Sequence, residues 1–459
     1  MYQTIIKQLS QNQINTKLIK TLYSELDDSG SIFLICQNEY SHELIMWSFF
    51  DTIEAFENNK FSYINTIVFP LVADKTNTLK HNVGYILWFV KDETKMYFNK
   101  DAIREKHIWK NVEWGKRTKN YHALGKDPGN VWIPTKDDGK GKITEHIILT
   151  RDQIVSRLIK STTREGDKTL INFELDNQKV DRSKYFQKIK EKYDKSTYCK
   201  VVFDSSEKMH QIMDNSVDLM VTSPPYWDLK NYFKPGQIGQ ESYEIYLSRL
   251  KLVWSETFRV LKTTGSMWIN INIRKKGKQV ILIPQDIIKQ CKEIGFLLKD
   301  VVIWHKSSGI PTHKNNIVDR HEYFLWFTKS EEFKFNMFQF CDYKNEMLEN
   351  GLFWNINRKA GSVGKNFIHP AVYPDKLIER VIELCSNEND LVVDPFLGSG
   401  TTSICASNLN RNSIGYEFNE GFKELIEFRF KKDILNNKTK IKFHSTKSKS
   451  TSLEIFRNN

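Results

Sequence analysis

At 459 residues, 40% hydrophobic and 13% aromatic, the chain has the length for two or three domains and the apolar content for a sizeable core, which excludes a disordered polypeptide. Lysine and arginine outnumber the acids 68 to 56; a formal charge of +12 favours a polyanion as partner. No run reaches the length of a membrane span, and Met1 to Gln13 lacks a signal peptide's apolar block. The six cysteines (Cys36, Cys199, Cys291, Cys341, Cys385, Cys405) have no C-x-x-C spacing. They read as reduced thiols of a cytoplasmic protein, with no disulfide frame and no metal site.

In chain order, residues 1–29 read as a short helical lead. From Gly30 the sequence repeats itself. Gly30-Ser31-Ile32-Phe33-Leu34-Ile35 echoes Gly265-Ser266-Met267-Trp268-Ile269-Asn270. Tyr85-Ile86-Leu87-Trp88-Phe89-Val90-Lys91 echoes Tyr323-Phe324-Leu325-Trp326-Phe327-Thr328-Lys329, and Phe98-Asn99 matches Phe335-Asn336. A third anchor pairs His146 with His369, Asp152 with Asp375, Arg157 with Arg380 and Ile159 with Ile382. Recurrence over roughly 130 residues points to a duplicated half-domain, residues 30–162, and not to a solenoid. Generic strand–helix–strand patterning is the other reading of the same matches.

Inside the first copy lies an insertion, residues 100–126, with Arg104, Lys106, His107, Trp109, Lys110, Trp114, Lys116 and Arg117. Basic residues interleaved with aromatics suit phosphate contact and base stacking; a solvated loop anchored by tryptophans has the same composition. Residues 163–196, with a helical run from Tyr185 to Lys195, read as a linker. Residues 197–432 form the larger α/β segment. It opens with a strand, Val201 to Asp204, and a helix around Glu207–Met213. A helix over Tyr243–Val260, strands at Gly265–Ile273 and Val301–Ile303, and a helix over Pro284–Ile294 follow. Arg274-Lys275-Lys276 and the loop Lys306–Arg320, with His313 and Lys314, are further positive patches. The tail, 433–459, is basic and rich in Ser, Thr and Asn, and is expected to fray.

Two stretches of the larger segment carry chemistry. Val217 to Val221 reads as a buried strand interrupted by Asp218, and Thr222-Ser223-Pro224-Pro225-Tyr226-Trp227 ends it. Two prolines fix φ, lack N–H donors and hold Ser223 extended. A rigid ledge then stands at the carboxyl end of a strand, where open α/β sheets bind ligands. Its hydroxyl, carbonyls and aromatic face suit a flat polar ring. The second stretch, Leu391-Val392-Val393-Asp394-Pro395-Phe396-Leu397-Gly398-Ser399-Gly400-Thr401-Thr402, is a strand, a tight glycine turn and a helix start. Ile414-Gly415-Tyr416-Glu417 is a strand ending in an acid suited to a ribose diol. The phosphate-loop pattern Gly-x-x-x-x-Gly-Lys-Ser/Thr is absent, which favours a nucleoside ligand without a phosphate chain.

Together these stretches resemble the amino-group DNA methyltransferases, in the motif order of the permuted β class, over about residues 200–432. Ser-Pro-Pro-Tyr resembles the cytosine-N4 type; adenine-N6 enzymes more often carry Asp-Pro-Pro-Tyr. The resemblance implies a Rossmann-like α/β sheet with helices on both faces, preceded by a degenerate, incomplete copy. It implies S-adenosylmethionine as cofactor and methyl transfer to the N4 amine of a flipped cytosine in double-stranded DNA. Ser223, Pro224, Pro225 and Tyr226 would act on the base. Asp204, Thr222, Asn366, His369, Asp394, Phe396, Gly398, Ser399, Gly400, Thr401 and Glu417 would surround the cofactor. Arg104, Lys110, Trp114, Lys116, Arg117, Arg274, Lys275, His313 and Lys314 are the candidates for DNA contact. A companion restriction endonuclease is a partner the family often has; no membrane and no metal are expected. Adenine-N6 methylation, RNA methylation and a DNA-binding protein with a decayed enzyme half are the alternatives. The departures from the family pattern are minor, chiefly Phe203-Asp204 where Gly-Asp is frequent.

Overall fold

The computed structural model describes residues 1–42, 44–71, 79, 81–105, 124–133, 135–137, 143–146, 148–175, 196–228, 235–277, 279–306, 317–336, 351–357, 373–445 and 448–453. The chain divides into two units. The first comprises residues 1–182 together with 305–321 and 347–353; the second takes the remainder.

The first unit is built on five strands: β1 (Tyr2–Gln8), β2 (Leu26–Cys36), β3 (Ser62–Pro70), β4 (Val83–Val90) and β5 (Thr169–Asn172), in the order β3-β4-β2-β1-β5. β1 runs parallel to both β2 and β5, and β4 is antiparallel to β2 and β3. Helices α1 (Thr16–Glu25), α2 (Phe49–Glu57) and α3 (Arg151–Thr162) complete it. α3 starts on a capping box, Thr150 with Gln153, which satisfies two otherwise orphaned donors.

Two expectations change here. Residues 1–29 contain the expected helix, α1, but open with a strand inside the sheet and belong to this unit. Ile5 and Ile6 are fully buried there, and a pair of apolar residues between polar ones gives little periodicity to read. The expected linker also contributes β5; the rest of it, with the run Tyr185–Lys195, lies outside the described residues. The segment 305–321 is laced into this unit. Val318 N donates to Pro128 O (2.9 Å), Asn130 N to Val318 O (3.0 Å), and Arg320 Nη1 to Glu105 Oε2 (2.7 Å).

The second unit carries β6 (Thr197–Phe203), β7 (Val217–Thr222), β8 (Leu261–Ile271), β9 (Leu297–His305), β10 (His321–Thr328), β11 (Phe353–Asn355), β12 (Leu391–Asp394), β13 (Asn412–Tyr416), β14 (Thr439–Ser445) and β15 (Ser448–Leu453). Their order is β11-β9-β10-β8-β7-β12-β13-β6-β14-β15. Its helices are α4 (Tyr243–Val260), α5 (Ile283–Ile294), α6 (Asp375–Cys385), α7 (Thr401–Asn408) and α8 (Lys423–Asp433). The tail expected to fray supplies β14 and β15. Ile441 and Phe443 alternate into the core, and that period of two outweighs the polar composition. Residues 207–213, where a helix was expected, are turns and irregular chain.

The first sheet repeats the centre of the second. Its order β3-β4-β2-β1-β5 runs parallel to β9-β10-β8-β7-β12. The likeness extends to single atoms. Trp88 Nε1 donates to Ser31 Oγ at 3.0 Å, and Trp326 Nε1 to Ser266 Oγ at 3.2 Å. Tyr97 N reaches Ser29 O as Lys334 N reaches Thr264 O; Asn99 N reaches Ser161 O as Asn336 N reaches Leu384 O. The Arg157 guanidinium lies 4.8 Å from the Trp132 ring, and that of Arg380 lies 5.1 Å from Trp354. At Gly30 an added Cβ would meet Gln3 O at 2.8 Å and Leu26; at Gly265 it would meet Asp218 O at 3.2 Å and Leu261. Both glycines are therefore fixed by the same close approach of the neighbouring strand.

Candidate active site

Parallel pairing of β7 with β12 (Leu219 to Val392, Met220 to Val393) brings the two chemical motifs to adjacent strand ends. A side-chain bond joins them: Thr222 Oγ1 donates to Asp394 Oδ1 at 2.6 Å. Asp394 is 1% exposed and also accepts from Thr402 Oγ1 (2.6 Å), Tyr373 Oη (3.0 Å) and Phe396 N (3.0 Å). Burial raises the Asp394 carboxyl against the opposing pull of these hydrogen bonds. Asp394 and Thr222, expected to touch the cofactor, are the tie between ledge and glycine turn.

The ledge is held from three sides. Tyr246 Oη, on α4, donates to Pro225 O at 2.9 Å. Tyr226 Oη donates to Glu322 Oε2 at 2.9 Å, which fixes the plane of its half-buried ring. Trp227 Nε1 donates to Glu241 O (2.8 Å). Gly239 has φ 111°, and a Cβ there would stand 3.3 Å from Pro225 Cβ, so the loop before α4 lies against the ledge. Among the described residues, the Ser223 hydroxyl and the Pro224 carbonyl have no hydrogen-bond partner.

Opposite, Gly398 (φ 54°) and Gly400 (φ 86°) turn the chain into α7. A side chain at Gly400 would come within 2.6 Å of Phe430 Cε1, so space as well as φ requires glycine. The first N–H groups of α7 have no intrahelical partner and face the turn. Ser399 and Thr401 point their hydroxyls inward: Arg429 Nη1 donates to Ser399 Oγ (2.8 Å), Ser399 O (3.1 Å) and Thr401 Oγ1 (2.7 Å). Arg429 is fully buried, beside Asp375 (3.6 Å) and Asp433 (3.3 Å). At the ends of β13 and β6 stand the two further acids. Glu417 accepts from Gly398 N (2.9 Å) and Asn419 N (2.7 Å); Asp204 accepts from Ser205 N (2.8 Å). Phe396 is half-buried, its ring edge-on to Trp254 at 6.4 Å.

Sequence reasoning missed Arg429, Tyr373, Thr402, Tyr246 and Glu322. For Arg429 a signal existed: an arginine among Leu425, Ile426 and Phe430 at helical spacing, with Asp433 four residues on.

The candidates for DNA contact fall in different places. Arg274 Nη2 donates to Asp228 O (3.2 Å), and Lys276 pairs with Asp228 (2.6 Å) over the Trp227 ring. The hairpin bearing Arg274 and Lys275 therefore borders the ledge. Arg104 is engaged internally by Asp101 and Asp127 (each 2.5 Å) and Gly125 O (3.0 Å). Together with the pairing of Glu105 to Lys126 it closes a stem at the base of the insertion, so its guanidinium is a structural tie and not a free phosphate contact. Lys110, Trp114, Lys116, Arg117, His313, Lys314, Asn366 and His369 lie outside the described residues. Among the described residues no helix is long and apolar enough to cross a membrane, and no acid, histidine and cysteine group could hold a metal. The described cysteines are buried thiols outside any disulfide.

The ledge and the glycine turn stand side by side at the carboxyl ends of neighbouring strands. The family to which this arrangement belongs follows from comparison: the DNA methylase family model for N6 and N4 methyltransferases matches residues 10–170 and 217–428, and the chain is a member of that family. Type II methyltransferase M.MthZI of Methanothermobacter thermautotrophicus is 32% identical over 271 residues, covering 50% of this chain and 76% of that protein. Type II methyltransferase M.Cfr9I of Citrobacter freundii is 29% identical over 261 residues, covering 48% of this chain and 84% of its own. Among solved structures, the cytosine-N4-specific PvuII DNA methyltransferase aligns with a TM-score of 0.44 at 23% identity, over 54% of this chain and 90% of that one.

Proposed function

We propose that the protein is a site-specific DNA methyltransferase that moves a methyl group from S-adenosylmethionine to the exocyclic N4 amine of a cytosine turned out of the duplex. The observation that carries this reading is the Thr222–Asp394 hydrogen bond, which couples Ser223-Pro224-Pro225-Tyr226 to the glycine turn. Family membership supports DNA methylation; the serine at position 223 supports cytosine over adenine.

S-adenosylmethionine fits the residues present. The turn is shaped by glycines a side chain would fill, and Asp204 and Glu417 stand at neighbouring strand ends. Acids there suit ribose hydroxyls and a cationic ligand and disfavour a pyrophosphate. Ser399 and Thr401 would hold the amino-acid part through backbone N–H groups, since both hydroxyls are turned to Arg429; Gly398 and Gly400, whose N–H groups go to Glu417 and Leu397 O, would shape the turn around it. When bound, the cofactor supplies an electrophilic methyl carbon.

The chain's own residues prepare the amine. Its lone pair is delocalised into the ring, so it is a weak nucleophile. Pro225 O already accepts from Tyr246, which leaves Ser223 Oγ and Pro224 O to accept the two N–H hydrogens. Both bonds draw the nitrogen toward a tetrahedral, nucleophilic geometry, and the proton released after transfer passes to water. The contribution is positioning and electrostatics, without a covalent enzyme intermediate. Tyr226, steadied by Glu322, would stack on the base, which must leave the helix to reach the ledge. Arg274 and Lys275 would follow the phosphates beside the everted base, with Lys110, Trp114, Lys116, Arg117, His313 and Lys314 as further contacts.

The first unit is read as an incomplete copy, without ledge or glycine turn, that imitates a second subunit and makes the target non-palindromic. The type II designation of the relatives supports a role beside a companion endonuclease. Nucleoside mass spectrometry of duplex DNA treated with protein and cofactor tests the reading. N4-methylcytosine is the expected product; N6-methyladenine would transfer the assignment to the adenine type, and no methylated base would end it.

A further inference from the structure

The first unit has a cleft of about 500 Å³ lined by Ser10, Gln11, Asn12, Ile14, Glu39 and Trp47. Its place in the fold is informative. Tyr2 pairs with Leu26 and Thr4 with Ser31, while Val217 pairs with Leu261 and Leu219 with Ser266, with the same irregularity after the first pair. That register sets Gln8-Leu9-Ser10-Gln11 of the first unit where Ser223-Pro224-Pro225-Tyr226 stands in the second. The small hairpin after β2 agrees. Its first residue, Glu39, accepts from Gln11 N, and Arg274, the first residue of the hairpin after β8, donates to Asp228 O, two residues past Tyr226, the counterpart of Gln11. The cleft is thus the first unit's counterpart of the base-handling ledge.

What remains there still suits a base. Trp47 offers a ring face, and its Nε1 donates to Thr52 Oγ1 (3.1 Å), which holds the indole in place. Gln11 and Asn12 are exposed side-chain amides, each able to donate and accept. Glu39 accepts protons and repels phosphate, and no cation is among the lining residues. The cofactor side is missing: β5 is followed by Phe173, Glu174 and Leu175, with Arg151 donating to Phe173 O.

We propose that this cleft binds an unpaired nucleobase of the DNA substrate without reacting with it, Trp47 stacking on the ring while Gln11, Asn12 and Glu39 meet its polar edge. Bases with an exocyclic amine suit Glu39 better than thymine does. The inference rests on the DNA methyltransferase reading. A second base-sized site gives the silent copy a direct part in handling DNA.

The test irradiates the full-length protein with a short single strand bearing 5-iodocytosine, which carries the exocyclic amine, and maps adducts by peptide mass spectrometry. A cross-linked peptide containing Trp47, beside one from the second unit, is expected. Asn12→Ala, an exposed change, should lower the Trp47 adduct severalfold. Trp47→Ala should weaken binding of single strands roughly fivefold to a hundredfold if stacking acts as it does elsewhere. Adducts confined to the second unit would overturn the proposal. So would a base-free sugar–phosphate strand that competes as well as a normal one, since the cleft would then read backbone. If methyl transfer to DNA occurs without a Trp47 adduct, only the cleft proposal fails. If no methyl transfer occurs at all, the enzymatic reading fails, and a Trp47 adduct would mark a nucleic-acid-binding protein.

Discussion

Two sheets in this chain share a strand order, a buried serine–tryptophan bond, a strand-crowded glycine and a cation over a tryptophan, yet only the second carries the Ser223-Pro224-Pro225-Tyr226 ledge and the Gly398–Gly400 turn. The shared features lie in strand centres, where packing decides the residue. The differences lie at the carboxyl edge of the sheet, where ligands are met. Architecture and reactivity are thus separable in the same fold, and each can be perturbed without the other.

The largest expected contrast is at the two ledge positions. Ser223→Ala should reduce methyl transfer roughly a hundredfold or more with the fold intact, as removal of a reacting-site hydrogen-bond partner does elsewhere. Gln8→Ala, its counterpart, should leave the rate within about twofold, within the ordinary scatter of a change remote from the chemistry. A radiolabelled methyl-transfer assay on duplex DNA compares them; equal losses would mean that the ledge is only structural. Next is the buried cation beneath the glycine turn. Arg429→Met should leave Ser399 and Thr401 without their donor and remove the cation beside Asp375 and Asp433. Cofactor affinity, read by titration calorimetry, is expected to fall about tenfold or more, with a loss of stability of about 3–5 kcal/mol.

How much of this was legible in sequence follows from what each feature depends on. The ledge and the turn are local: prolines and glycines restrict their own backbone, so Ser223 to Tyr226 and Gly398 to Gly400 stand out in one dimension. The helix Tyr243–Val260 and its strand neighbours were likewise readable from periodicity. Tertiary partners were not. Asp394 reads as part of a cofactor motif, and only the fold shows Thr222, Thr402, Tyr373 and Phe396 converging on it. Residues 305–321 read as a loop of the second copy, because no local signal tells a segment to pair with Pro128 and Asn130. The first copy's opening strand, Tyr2–Gln8, was hidden because Ile5 and Ile6 stand together between polar residues and show no alternation.

A smaller and symmetric effect is expected at the shared core. Ser31→Ala and Ser266→Ala each strand a buried indole N–H, a loss of about 1–3 kcal/mol in either unit. Thermal unfolding should show comparable shifts. A large loss at one and none at the other would mean that the two sheets are alike only in outline.

The smallest effect separates the units by acid. Asp218, 3% exposed, takes bonds from Lys262 Nζ (2.7 Å), Lys334 Nζ (3.1 Å) and Leu391 N (3.0 Å), and so ties β7 to the starts of β8 and β12. Burial alone would raise its carboxyl, but the bonds from Lys262, Leu391 and Lys334 outweigh that and hold it below the usual carboxylate range. Its stabilisation is therefore complete above the unfolded value, near pH 4, and is lost as pH falls through the lower folded one. At the matching position of the first unit stands Gln3, which is neutral and bonds Ser29 O (3.0 Å). Asp218→Asn should flatten the acid limb of the second unit's stability below about pH 4, and Gln3→Ala should leave the pH dependence of the first unit unaltered. Hydrogen exchange followed through that range distinguishes the units. An unchanged acid limb in Asp218→Asn would mean that Lys262 and Lys334 find other partners, and that this one polar difference between the two sheet centres is without consequence.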